Sequence, residues 1–133
     1  MDLSVVIPVK NEQDNILPLL AEIHAALEGR YDFEVIYVDD GSDDASPRVL
    51  DAARARYPRL RVLRHARSCG QSAAVRSGVR AARAAWIATL DGDGQNDPAD
   101  IPKLMAAMQT PERPPELKLF AGWRKNRRDT WLK

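Results

Sequence analysis

The chain has 133 residues, enough for one domain with a hydrophobic core but too few for two. Hydrophobic residues make up 44% and charged residues 29%, as in ordinary soluble globular proteins, and no stretch approaches the ~20 apolar residues of a membrane helix. The single cysteine, Cys69, excludes an internal disulfide, and the apolar run at 3–9 is too short for a signal peptide. We therefore expect a reduced, cytoplasmic setting.

Charge is unevenly distributed along the chain. The net charge is +1, but residues 1–117 carry 14 basic and 18 acidic residues, whereas residues 118–133 carry six basic residues and one acidic residue. This basic segment is either a solvated tail or a surface that meets phosphate, on a ligand or at a membrane.

Short apolar runs alternate with amphipathic helical patterns. Strands are predicted at 4–8, 34–38, 60–63, 86–90 and 117–121. Helices are predicted at 16–27, 49–57, 75–82 and 101–108, with Gly29 placed to end the first and Ser46 to cap the second. This alternation predicts a mainly parallel α/β sheet flanked by helices, in which ligands bind beyond the carboxyl ends of the strands.

Three of the predicted strands run into polar residues that a hydrophobic core does not need. Because parallel strands end at one edge of a sheet, five carboxylates are expected to gather there: Glu12, Asp39, Asp40, Asp91 and Asp93. Burying like charges together is unfavourable without a cation or a hydrogen-bonding ligand. Oxygen ligands select a hard ion, so a Mg²⁺ or Mn²⁺ site is predicted around the Asp-x-Asp sequence at 91–93.

Other interpretations of these residues are open from the sequence. Asp40 and Ser42 could simply form a tight turn. A calcium loop starting at Asp91 lacks its required glycine and glutamate, because Asn96 and Pro102 stand at those positions. A dehalogenase-type phosphatase also places Asp-x-Asp after a strand, but normally early in the chain. Dinucleotide-binding and P-loop motifs are not found in the sequence.

The loop that follows the third predicted strand adds residues of a different chemistry. His65 lies in the same loop as Gly70 and its polar neighbours, so its side chain could reach the carboxylates at the sheet edge. Cys69 is interpreted as a small packing residue, since no partner base is evident in the sequence.

Three segments carry a family resemblance: SVVIPVKNE at 4–12, VIYVDDGSDD at 35–44 and LDGDGQNDPADIP at 90–102. They resemble family 2 glycosyltransferases with the GT-A fold, a Rossmann-like three-layer α/β/α arrangement. The segment AGWRKNRRD at 121–129 is similar to the polyprenyl-phosphate branch, which includes dolichyl-phosphate mannosyltransferases and undecaprenyl-phosphate sugar transferases. The resemblance covers essentially the whole chain, and four motifs in the right order make it specific.

The resemblance implies roles for individual residues. The donor-binding positions it implies are Pro8, Val9, Glu12, Asp39, Asp40, Gly70 and Asp91. Asp91 and Asp93 would hold the metal and the diphosphate, with Gln95 as a further metal ligand. Arg124 would contact phosphate on the donor or the acceptor and would act with Asp93 in catalysis.

The implied activity is inverting transfer of a hexose-type sugar from a nucleotide diphosphate sugar to a polyprenyl phosphate, with Mg²⁺ or Mn²⁺ as cofactor. The basic C-terminal segment would meet the membrane at its cytoplasmic face. No nucleic-acid partner is expected, and a homo-oligomer is an open alternative to a monomer. Family members continue well past this length, so residues 1–133 are expected to be one glycosyltransferase domain that lacks its C-terminal part.

Three alternative functions stay open from the sequence. A family 2 enzyme could act on a saccharide acceptor, a binding module could hold nucleotide without turnover, and a phosphatase could use the same Asp-x-Asp pair. The motifs do not fix the nucleotide base, although they lean toward uridine.

Overall fold

Strands and helices alternate along the chain in the computed structural model, which describes residues 1–108 and 119–121. The strands are β1 (Leu3–Val9), β2 (Phe33–Asp40), β3 (Leu60–His65), β4 (Trp86–Thr89) and β5 (Leu119–Ala121). The helices are α1 (Ile16–Leu27), α2 (Ser46–Arg56), α3 (Gln71–Ala81) and α4 (Asp100–Met108). Each predicted strand and helix is therefore present; α1 has the predicted bounds, and the bounds of the other elements are shifted.

The strands form one parallel sheet in the order β3-β2-β1-β4-β5. β1 lies in the middle, and its Leu3 pairs with Phe33 of β2 on one side and with Trp86 of β4 on the other. The chain builds outward from β1 to β3 and then restarts on the opposite side with β4. The strand order thus reverses between β1 and β4, which is where open α/β sheets place their ligands.

Hydrophobic side chains fill both faces of the central strands, and β1 and β2 are buried along their whole length. Val5 and Tyr37 pack on the face covered by α1, α2 and α4, whereas Val6 and Ile36 pack on the face covered by α3. The resulting order of helices, sheet and helix confirms the predicted three-layer α/β/α arrangement.

Two local predictions were wrong. β2 does not end at residue 38 but continues through Asp39 and Asp40, which pair with Arg64 and His65 of β3. Ser46 does not cap α2 with its side chain. The cap position is Ala45, and the Ser46 hydroxyl instead accepts a hydrogen bond from the backbone N–H of Glu12, in the loop between β1 and α1.

A buried carboxylate joins three strands at the amino-terminal edge of the sheet. Glu34 of β2 is 2% exposed, and its Oε1 accepts a hydrogen bond from Arg61 Nη1 at 2.8 Å. Its Oε2 accepts from Ser4 Oγ at 2.6 Å and from the backbone N–H of Arg83 at 2.8 Å. Burial acts to raise the pKa of Glu34, but these donors outweigh it and the pKa lies below its ordinary value.

Within the described part of the chain, every helix is too short or too polar to span a bilayer.

Candidate functional site

Asp39 and Asp40 end β2, and their carboxylates lie on opposite faces of the sheet because successive strand residues alternate. Both side chains are fully buried. Asp39 Oδ1 accepts a hydrogen bond from the backbone N–H of Ser42 at 3.0 Å, which closes the turn after the strand. Asp39 Oδ2 is buried and has no hydrogen-bond partner among the described residues. A buried oxygen of this kind is a place where a ligand N–H or O–H would be accepted.

Asp40 holds the loop between β3 and α3. Its Oδ1 accepts from His65 Nδ1 at 2.7 Å and from the Cys69 backbone N–H at 2.8 Å. Its Oδ2 accepts from Ser68 Oγ at 2.8 Å and from the Gly70 backbone N–H at 2.9 Å. Burial acts to raise the pKa of Asp40, but these four donors lower it below its ordinary value. The Asp40 carboxylate is therefore engaged within the protein.

The expected gathering of five carboxylates is only partly found. Asp40 is turned away from Asp39 toward the α3 face, so these neighbours do not share one site.

Val9 lies in the hydrophobic core, whereas Pro8, one residue earlier, faces α3. The interpretation of Cys69 as a packing residue was wrong, because this side chain is exposed.

The loop after β1 is hydrogen-bonded to the loop after β2. The backbone N–H of Asn11 donates to Ser42 Oγ at 2.8 Å, and that of Glu12 donates to Ser46 Oγ at 3.1 Å. Asn11 adopts a left-handed backbone conformation with φ 57°, which asparagine tolerates better than most residues. These contacts fix the position of Glu12 at the carboxyl edge of the sheet.

Glu12 and Asp93 belong to one negatively charged region. Partial burial raises the pKa of Glu12. A hydrogen bond of 2.7 Å from Asn15 Nδ2 acts to lower this pKa, whereas the negative charges of Asp93 and Asp44 raise it further. A carboxyl group whose ionisation is disfavoured by its neighbours is a position where a cation would be stabilised.

The loop after β4 is shaped by glycine. Gly92 lies so close to the Val9 side chain and the Pro8 carbonyl that a Cβ there would clash, and Gly94 has φ 81°. Asp93 Oδ1 accepts a hydrogen bond from the Gln95 backbone N–H at 3.0 Å. The Gln95 amide oxygen, Oε1, is buried and has no partner among the described residues. Carboxylate and amide oxygens are the ligands of hard divalent cations, so this loop fits Mg²⁺ or Mn²⁺.

A cavity of about 400 Å³ opens at the carboxyl ends of β1 and β4, beside the start of α3. Seven residues line it: Pro8, Gln71, Ser72, Val75, Thr89, Leu90 and Asp91. Asp91 Oδ1 accepts a hydrogen bond from Gln71 Nε2 at 3.2 Å, which directs this carboxylate toward α3. The volume lies in the range of about 300–1,000 Å³ that is typical of small-molecule sites.

Two residues that position Asp91 were not predicted from the sequence. Gln71 begins α3 and bonds to the Asp91 side chain, and Asn96, which is 3% exposed, accepts a hydrogen bond from the Asp91 backbone N–H. Asn96 had a detectable signal, because it lies in the polar run that follows the fourth strand. Gln71 had none, since its partner is 20 residues away along the chain. Arg124 and the basic segment 118–133 fall outside the described residues, apart from the backbone of β5.

Comparison with known proteins identifies relatives over most of the chain. The sequence model described as glycosyl transferase family 2 matches residues 4–114. A dodecaprenyl-phosphate galacturonate synthase of Rhizobium johnstonii is 42% identical over 97% of this chain and 38% of its own length. An undecaprenyl-phosphate 4-deoxy-4-formamido-L-arabinose transferase of Aeromonas hydrophila is 38% identical over 98% of this chain and 39% of its own length. The chain thus spans less than half of these curated relatives.

Solved structures share the fold. The mannosyltransferase PcManGT from Pyrobaculum calidifontis, in complex with GDP-Man and Mn²⁺, has a TM-score of 0.73 at 22% identity, covering 82% of this chain and 32% of that one. S. aureus TarS 1–349 has a TM-score of 0.69 at 24% identity, covering 81% of this chain and 32% of that one. The predicted GT-A fold is confirmed by these likenesses.

Proposed function

Because the chain belongs to glycosyl transferase family 2, we propose that the cavity between β1 and β4 binds a nucleotide diphosphate sugar. The proposal rests on the position of that cavity in the sheet and on the residues that line it. It lies where the strand order reverses, and the Asp91 carboxylate forms part of its wall. Crevices at such reversals are the general ligand sites of open α/β sheets.

The proposed reaction of the whole protein is inverting transfer of the sugar to a polyprenyl phosphate. Two relatives of which this chain covers nearly two fifths bear the names of dodecaprenyl- and undecaprenyl-phosphate enzymes. The six basic residues in 118–133 would attract the anionic lipid head at the cytoplasmic membrane face, and Arg124 among them would contact phosphate. A phosphatase of the dehalogenase type is not supported by this family membership.

Asp91, Asp93 and Gln95 are the residues we propose for holding Mg²⁺ or Mn²⁺. The loop after β4 presents carboxylate and amide oxygens, and Gln95 Oε1 lacks a partner among the described residues. When bound, the ion would offset the negative charge that grows on the departing diphosphate. The fold relative PcManGT was solved with Mn²⁺, which agrees with a divalent ion without fixing which one is used here.

The remaining chemistry needs little from the protein beyond positioning. The acceptor phosphate oxygen would attack the anomeric carbon while the bond from that carbon to the diphosphate oxygen breaks, so the configuration inverts. A phosphate oxygen is already anionic near neutral pH, and a strong general base is therefore unnecessary. Asp91, held by Gln71 and Asn96, would orient the donor, and Asp39 Oδ2 would accept a hydrogen bond from the base or ribose.

A thermal-shift screen tests the donor site first. The protein is melted with UDP, GDP, CDP and TDP and their sugars, each with and without Mn²⁺. A ligand at 100 times its Kd adds about 2.7 kcal/mol, which raises the Tm by several degrees in a domain of this size. We expect one nucleotide to give a shift that requires the metal. A folded protein that responds to none of them would contradict the donor site.

Two variants distinguish a loss of metal binding from a general effect on folding. Asp93→Ala should abolish the metal-dependent part of the shift, whereas Asp51→Asn, which changes a carboxylate exposed on α2, should leave it intact. Unchanged metal-dependent binding in Asp93→Ala would contradict the assignment of the metal ligands but not the donor cavity.

A further inference from the structure

A second group of potential metal ligands lies on the α3 face, in the loop that Asp40 holds. One carboxylate oxygen of Asp40, a ring nitrogen of His65 and the Cys69 sulfur all lie within 4.8 Å of one another. Asp40 is fully buried, His65 is partly buried, and Cys69 is exposed. The cluster thus combines a buried ligand with a ligand that is open to solvent.

We propose that Asp40, His65 and Cys69 bind a zinc-like transition-metal ion. A thiolate, an imidazole and a carboxylate are ligands that Zn²⁺ accepts in tetrahedral sites, and three of them leave a fourth position for water. The sulfur and nitrogen donors disfavour Mg²⁺ and Mn²⁺, which prefer oxygen. The site therefore differs in chemistry from the all-oxygen loop at Asp91, Asp93 and Gln95.

The surroundings of His65 match those of a metal-binding histidine. Its Nδ1 faces Asp40 at 2.7 Å, and its other nitrogen, Nε2, lies 2.9 Å from Ser77 Oγ on α3. Histidines that bind metals usually donate their second N–H to an oxygen, which fixes the ring orientation and the tautomer. Ser77 can serve this purpose, because a hydroxyl both donates and accepts hydrogen bonds.

The surroundings of Asp40 are equally developed. Its second oxygen, Oδ2, accepts hydrogen bonds from Ser68 Oγ and the Gly70 backbone N–H. These bonds would keep the carboxylate in place when Oδ1 binds the metal ion. Outer hydrogen bonds of this kind orient metal-binding carboxylates.

Metal entry exchanges protons in a balanced way. An ionised carboxylate can only accept, so in the metal-free protein His65 Nδ1–H donates to Asp40. In the neutral form of the ring, Ser77 Oγ–H donates to Nε2. On binding, the proton of His65 moves from Nδ1 to Nε2, the Ser77 hydroxyl rotates to accept it, and the Cys69 thiol releases its proton to water. One proton is thus released for each ion bound.

Cobalt(II) can replace zinc and, unlike zinc, gives absorption bands, so it is the probe we choose. The reduced protein is titrated with Co²⁺ in excess Mg²⁺, which occupies sites of oxygen ligands, and the thiolate-to-cobalt charge-transfer band is recorded. We expect one ion per chain, with the band lost when Zn²⁺ is added. A protein that shows no band, or that binds Co²⁺ no better than Mg²⁺, overturns the proposal.

Variants test each ligand. Cys69→Ser changes an exposed side chain and should remove the band. His65→Ala should weaken Co²⁺ binding by ~100-fold or more, and Ser77→Ala, which leaves all three ligands, should weaken it by ~10-fold or more. His24→Ala, which removes the other histidine, is the matched control and should leave binding unchanged. If His65→Ala and Ser77→Ala both keep the affinity of the unaltered chain, the ion is held by the thiol alone and the proposal is wrong.

Discussion

The two oxygens of Asp39 have different surroundings although the side chain is entirely buried. Oδ1 is bonded to the Ser42 backbone N–H, whereas Oδ2 has no partner among the described residues. Leaving a buried acceptor unbonded costs about 1–3 kcal/mol. A ligand N–H or O–H that reached this oxygen would recover that free energy, which is why Asp39 is proposed to take part in nucleotide binding.

Asp39→Asn provides a sensitive test. The amide keeps an oxygen for the Ser42 N–H and places an NH₂ group where Oδ2 stood, so a donor on the nucleotide would meet another donor. Because a hydrogen bond to a charged group contributes about 1.5–3 kcal/mol, nucleotide affinity should fall ~10- to 100-fold. Isothermal titration calorimetry of the nucleotide found by the screen measures this, with Asp51→Asn as control. Equal affinities in the two variants would remove Asp39 from the binding site.

Asp39 and Asp40 together show how much of the site the sequence can predict. The pattern placed Asp39, Asp40, Asp91 and Asp93 at one edge of the sheet, and the structure has them there. It could not tell that β2 continues through Asp40, or that the loop between β3 and α3 binds this carboxylate. That outcome depends on contacts with residues 25–30 positions later in the chain, which no local pattern encodes.

The approach of α3 to the sheet depends on one position. A Cβ added to Gly78 would overlap the Val6 side chain of β1 and would meet Val38 of β2 at 3.2 Å. The absence of a side chain lets the helix lie directly on the central strands. The start of α3, with Gln71 in the wall of the cavity, is positioned by that contact.

Gly78→Ala should therefore destabilise the protein, even though alanine is the better helix former. Overpacking of a core typically costs about 1–3 kcal/mol, which exceeds the gain of ~1 kcal/mol in helix propensity. Chemical denaturation measures the free energy of unfolding. Arg76→Ala, at an exposed position of the same helix, serves as control.

A double variant checks the cause. Val6→Ala removes the methyl groups that the new Cβ would strike, so the two substitutions together should cost less than the sum of their separate costs. Strict additivity would show that the loss in Gly78→Ala does not arise from this contact.

The elements themselves were predictable where apolar spacing was regular, and their bounds were less so. α3 starts at Gln71 rather than near 75, because its first turn contains two polar residues and two alanines and so offers no large apolar side chain to mark the repeat. β2 runs two residues past its apolar part, since buried carboxylates with hydrogen-bond partners can continue a strand. In both cases tertiary contacts, rather than local hydrophobicity, determine where the element begins or ends.

Glu34 links β1, β2 and β3, and its ionisation should therefore affect the free energy of unfolding of the whole domain. Because its pKa is lowered in the folded protein from 4.5, the folded state favours the charged form. The stabilisation is complete above that value and is lost as pH falls through the lowered pKa, since the unfolded chain then takes up the proton more readily.

Glu34→Gln removes this titration. The difference in unfolding free energy between the unaltered chain and the variant should be constant near neutral pH and should shrink as pH falls below 4.5. Urea denaturation at several pH values measures it, and Glu22→Gln, at an exposed position of α1, should show no such convergence. A difference that stays constant into acid would contradict the role given to Glu34.

The central place of β1 also has a consequence for how the chain is made. One neighbour, β2, follows about 30 residues after β1, but the other, β4, pairs Trp86 with Leu3 and is synthesised roughly 80 residues later. At ~5–20 residues per second the ribosome takes on the order of 4–16 s to supply it. Through that interval one edge of an apolar strand stays unpaired, which is the condition under which chains associate wrongly. A nascent polypeptide arrested before β4 emerges should therefore depend on chaperones.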